Sequence, residues 1–146
     1  MTIPQGIISI PSEAFNNCGF DGTLTLHDGI VNIANDAFAN CHFKGELHLP
    51  RNLKTLSNNA FGNNDFSGNL NLPSTLMHIG SSAFANNWRL MGVLDIPYGV
   101  ESIGESAFSN CRMLEGLVLP ESLETIRRGA FKNCYGVGSI VCKGTM

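Results

Sequence analysis

The sequence predicts an α/β solenoid: a right-handed coil of about six 23-residue turns, carrying a parallel β-sheet and short helical or 3-10 turns. Three observations carry this reading. Ala-Phe recurs at Ala14-Phe15, Ala37-Phe38, Ala60-Phe61, Ala83-Phe84, Ala107-Phe108 and Ala130-Phe131, in steps of 23, 23, 23, 24 and 23 residues. An alternating aliphatic pair precedes most copies, as in Leu47/Leu49, Leu70/Leu72, Leu94/Ile96 and Leu117/Leu119. A proline follows that pair at Pro50, Pro73, Pro97 and Pro120. A fixed period of this length is the mark of a repeat array.

Each element of the coil follows from its column. The Leu-x-Leu stretch has the period of two expected of a short half-buried strand. Proline closes it, because proline cannot donate to a continuing ladder. In the second copy His27 stands in the proline column. Next come two aliphatic columns, for instance Leu76 and Ile79 within Thr75–Gly80, predicting an extended segment or a second short strand. A small polar residue then precedes Ala-Phe-x-Asn, and Ser81 or Ser82 reads as the N-cap of one helical or 3-10 turn. The Asn column (Asn17, Asn40, Asn63, Asn86, Asn110 and Asn133) suits the left-handed conformation that ends such a turn. The column after it reads Cys18, Cys41, Asn64, Asn87, Cys111 and Cys134. One coil cannot bury its Phe and aliphatics alone, so parallel crossovers, right-handed in nearly all known cases, should stack them as ladders about 4.8 Å apart. Residues 1–146 then form a single domain, readable as a fragment of a longer array.

Composition narrows the function classes. Of 146 residues, 9 are Lys or Arg and 12 are Asp or Glu, giving a net charge of −3. That balance argues against general nucleic-acid binding. The apolar runs are far shorter than a membrane-spanning helix requires. The N-terminal MTIPQGIISIPSEAF has no basic region, apolar core or cleavage site of a signal peptide. This fits either a cytoplasmic protein or a trimmed piece of a secreted one.

The stretch Cys-x-x-Leu-x-x-Leu-x-Leu-Pro-x-x-Leu-x-x-Ile-x-x-x-Ala-Phe, from Cys111 to Phe131, resembles the BspA-like (Treponema-type) leucine-rich repeat. Phe-x-Gly-x-Leu-x-Leu, at Phe20–Leu26, Phe43–Leu49 and Phe66–Leu72, is similar to repeats of gut Bacteroidetes surface proteins. The resemblance covers about residues 3–142, and Ser139–Thr145 resembles the last strand of such arrays. It implies a leucine-rich-repeat solenoid, secreted or surface-exposed, that binds proteins or host surfaces. It implies no catalytic residues.

The residues that bear chemistry read mostly as structural. Cys18 and Cys41, and likewise Cys111 and Cys134, sit one coil apart with side chains expected to point the same way into the core, while Cys142 follows the last expected strand and is expected to be partly exposed, so free thiols are expected. No Cys-x-x-Cys pair, P-loop, nucleophile elbow or Ser-His-Asp set is present, and no cofactor or metal is expected. His27, His42, His48 and His78 fall in different columns. What remains is surface. The outward strand row Thr25, His48, Asn71, Asp95 is a candidate binding row. Trp88 and Arg89, at the one-residue insertion within Asn87–Leu94, form a candidate hot spot. The expected function is a non-enzymatic binding module for a protein or cell-surface glycan, with neither nucleic-acid binding nor membrane insertion. The alternative is a spacer that self-associates through uncapped ends, with Ile3, Ile7 and Ile140 at open edges.

Overall fold

The computed structural model describes residues 1–144, so Thr145 of the expected final strand lies outside the described residues. The chain winds as a parallel-strand solenoid with six coils, one per Ala-Phe dipeptide. Six two-residue strands (Ser9–Ile10, Asn32–Ile33, Thr55–Leu56, His78–Ile79, Ser102–Ile103 and Thr125–Ile126) pair in that order as a narrow parallel sheet. A wider parallel sheet is built from Lys44–Gly45, Asp65–Asn69, Arg89–Asp95, Met113–Leu119 and Ser139–Cys142. Single bridges, Thr2 to Thr25, Gly22 to Phe43 and His48 to Asn71, extend this ladder through the first coils. The segment after the proline is thus a second strand. Between the sheets the chain bends in a turn closed by the proline-column carbonyl, as in Leu76 N–H to Pro73 O at 3.1 Å. His27 supplies the same carbonyl, and its ring adds two bonds: Nε2–H donates to Pro4 O at 2.9 Å and Nδ1 accepts from Gly29 N–H at 3.1 Å.

The core is a file of aromatic rings. Phe15, Phe38, Phe61, Phe84, Phe108 and Phe131 stack at centroid spacings of 5.3, 5.5, 5.6, 5.3 and 5.5 Å, with planes within 13° of parallel. Identical side chains meet because each coil repeats the previous one at strand spacing. A second file, Phe20, Phe43 and Phe66, packs edge-on against the first. In the next two coils the buried Leu90 and Leu114 take the place of this second ring.

The Ala-Phe segments are not helical, and this corrects the expected helical or 3-10 turns. The residue before each Ala (Glu13, Asp36, Asn59, Ser82, Ser106, Gly129) has φ between 53° and 67°. Each Asn of the Asn column has φ between 56° and 62°. A left-handed residue every fourth position interrupts a helix before it can close a second turn. The N–H groups are also committed between coils: Phe61 donates to Ala83 O at 2.9 Å and Asn63 to Ala85 O at 2.8 Å. Ser82 is therefore a left-handed turn residue and not an N-cap. The Asn side chains form one directed ladder, Asn133 to Asn110 to Asn86 to Asn63 to Asn40 to Asn16, each Nδ2 donating to the next Oδ1 at 2.6–3.0 Å.

Two expectations about burial change. Ile3 is buried in the core, since its N–H pairs with Thr25 O and its side chain faces inward. Ile7 and Ile140 are exposed as expected. Cys18 is exposed, unlike its column mates Cys41 and Cys111, because the first coil has no described coil beneath it. All five cysteines are free, and burial pushes the Cys111 thiol strongly up from its ordinary pKa. A thiol probe should therefore label Cys18 and Cys142 quickly in the native protein, and Cys111 only on unfolding. Mass spectrometry of the labelled peptides checks the order.

Candidate functional site

The outward face of the wide sheet changes character along the stack. Its first coils present Thr23, Thr25, Glu46, His48, Asn69 and Asn71, all polar and exposed. Its later coils present apolar side chains: Met91 is 38% exposed, Val93 56%, Met113 43% and Val141 53%. Register makes these neighbours. Met91 lies opposite Met113, Asp95 opposite Val118, and Val118 opposite Val141. Between Gly92 and Val93 the register shifts, so Val93 meets Gly116 and Glu115 is passed over. Gly116 matters here because a Cβ would lie 2.8 Å from Ser139 Oγ of the next coil.

The two ends of strand Arg89–Asp95 carry the polar margins of this face. At one end Trp88 is half exposed and the Arg89 guanidinium lies 4.7 Å from the centre of its ring. Arg112 of the next coil joins Trp88, Asn86 and Asn110 around a hollow of about 330 Å³. At the other end Lys143 reaches back two coils to Asp95, with Nζ 3.2 Å from Oδ2. Beside that ion pair an open cleft of about 420 Å³ is lined by Asn71, Val93, Tyr98 and Glu121 among others.

The structure places all six candidate residues on the surface and divides them. Thr25, His48, Asn71 and Asp95 form one outward row, and His48 sits 3.5 Å from Glu46. Asn71 and Asp95 meet at the cleft. Trp88 and Arg89 lie about 20 Å from Asp95, at six residues of extended strand. Met91, Met113, Arg112, Tyr98 and Lys143 were not singled out by sequence reasoning. The available signal was Leu90 and Leu114, whose alternation with the following strand leucines extends each strand back toward the Asn column. Among the described residues, no three His, Cys, Asp or Glu side chains gather as metal ligands. Among these residues no helix is long and apolar enough to cross a membrane.

A family model for the BspA-type leucine-rich-repeat region matches residues 1–93 and 87–146, with six copies. The chain belongs to this family. No curated protein matches it. Among solved structures, this BspA-type chain is similar to a leucine-rich repeat protein from Bacteroides ovatus, at 29% identity and a TM-score of 0.83, over 95% of this chain and 36% of that one. It is also similar to a leucine-rich cell surface protein from Faecalibacterium prausnitzii, at 27% identity and a TM-score of 0.61, over 99% of this chain and 32% of that one. The BspA-type chain thus spans about a third of the length of these two proteins.

Proposed function

We propose that this leucine-rich-repeat chain is a non-enzymatic binding module whose recognition surface is the later half of the wide sheet, and whose ligand is a protein. The observation that carries the reading is the concentration of exposed apolar side chains on this outward face, Met91 opposite Met113 and Val141 opposite the half-exposed Val118, with Val93 between them. Exposed contiguous apolar area marks interaction sites. Met, Trp, Tyr and Arg, all present on or beside this face, are the residue types enriched at protein interfaces. The backbone beneath is held by parallel ladders on both sides, so little order needs to be imposed on binding. A role at the cell surface or in a secreted protein fits the description of the Faecalibacterium neighbour as a cell surface protein.

The test is surface plasmon resonance of the chain against a panel of purified extracellular proteins, with a glycan array in parallel. The expected result is a protein hit that weakens at least about tenfold in Met113→Asp and is unchanged in Glu124→Ala, on the narrow-sheet side. No interaction, glycan binding alone, or a hit indifferent to Met113→Asp would remove the reading.

A further inference from the structure

The hollow beside Trp88 specifies part of the ligand's chemistry. Trp88 and Arg112 line it with an indole N–H and a guanidinium fork, and Arg89 lies against the Trp88 ring with a second fork, all of them donors with no acceptor. Neither arginine has an acid partner among the described ion pairs, although Lys44, Arg51, Arg128 and Lys143 each have one. The chain as a whole is acidic, at −3, yet this corner sets two arginines on adjacent coils beside one exposed indole. Asn86 and Asn110 add donors at the floor. Each primary amide carries two N–H donors, and its ladder bond uses one of them. The nearest acid on the same strand, Glu115, makes no ion pair with Arg112. Met91 lies two residues beyond Arg89, and Met113 directly follows Arg112.

We infer that this corner binds a carboxylate side chain of the partner protein, on a segment that also lays an apolar residue across Met91 and Met113. The inference rests on the reading of the wide sheet as the recognition surface and adds the charge of what is recognised. Guanidinium forks match carboxylates in two-point geometry, and the adjoining indole keeps Arg89 in place by stacking.

Selection of phage-displayed peptides on the immobilised 146-residue chain tests it, followed by fluorescence anisotropy of the enriched peptide. The expected consensus pairs Asp or Glu with a nearby apolar residue. Binding should fall at least about tenfold in the Arg89→Glu, Arg112→Glu double variant and weaken with added salt. Replacing the peptide's acid by its amide should cost the wild type a similar factor and the double variant almost nothing. Peptides that depend on Met113 but carry no acid, or that bind the double variant as well as the wild type, overturn the inference and leave the protein-binding reading standing. Enrichment of nothing, or of peptides indifferent to Met113→Asp, overturns both. Arginine-dependent binding of heparin without any peptide assigns the hollow to sulfate and also overturns it. Circular dichroism of the double variant should match the wild type, since both arginines lie outside the core.

Discussion

Truncating Phe84 to alanine should lower the unfolding free energy by about 3–5 kcal/mol, toward the upper end of that range for a large-to-small core change. The ring is fully buried and lies between Phe61 at 5.6 Å and Phe108 at 5.3 Å. Each stacked contact adds about 0.5–1.5 kcal/mol beyond the area buried, and alanine forfeits both at once. The surrounding backbone cannot collapse to fill the gap, because Phe84 N–H is tied to Ala107 O and the same residue's carbonyl accepts from Cys111 Sγ and Asn87 Nδ2. Phe15→Ala should cost less, since that ring is only half-buried and stacks on one side. His48→Ala, on the outer row, should stay within about 0.5 kcal/mol. Urea melts followed by circular dichroism give all three values. A repeat array is coupled mainly between neighbours, so the Phe84 variant should also show a shallower transition as the coils on either side begin to melt separately. If His48→Ala cost more than Phe84→Ala, the assignment of inner and outer columns would be wrong.

That prediction was available from the sequence, and it is instructive to see why others were not. The core columns were legible because six copies of one coil reinforce one another: Phe, the two aliphatics and the Asn each hold their position whatever fills the surface. The left-handed residue before Ala was not legible, because its column reads Glu13, Asp36, Asn59, Ser82, Ser106 and Gly129. Side chains of such different kinds do not announce one backbone conformation, and the serines read equally well as helix caps. The binding face was half legible. Asp95 and Asn71 follow from simple alternation around the strand leucines. Met91 and Met113 do not, because the offset between their strands is 113 − 91 = 22 and becomes 116 − 93 = 23 beyond the irregularity at Gly92/Val93. A count anchored on Ala-Phe spacing alone misses such a shift. The meeting of Trp88 with Arg112 across coils was hidden for the same reason.

The column of Cys and Asn after the Phe turn gives the second large prediction. Replacing Asn64 by leucine should destabilise the protein by about 3–5 kcal/mol, through buried polar groups left without partners. Asn64 Nδ2 lies 2.8 Å from Phe38 O of the preceding coil and also donates to Phe61 O and Gly62 O, while its Oδ1 accepts from the N–H groups of Cys41 and Phe43. Cysteine in this column does part of the same work. Cys41, Cys111 and Cys134 each direct Sγ to the Phe carbonyl of the preceding coil, at 2.7, 3.3 and 3.1 Å. That shared bond explains why two such different residues alternate here. It also separates the two asparagines. Asn64→Cys keeps a donor for Phe38 O but strands two buried N–H groups, and should still cost about 2–3 kcal/mol. Asn87→Cys keeps a donor for Phe61 O and removes an oxygen, Asn87 Oδ1, that is buried with no hydrogen-bond partner. Its stability should lie within about 1 kcal/mol of the wild type or above it. The same residue exchange, one coil apart, is thus expected to differ by about 2 kcal/mol, and paired urea melts in reductant measure that difference. Equal losses at both positions would mean that Oδ1 of Asn87 is as well satisfied as that of Asn64. The column would then be a matter of size and not of hydrogen bonding.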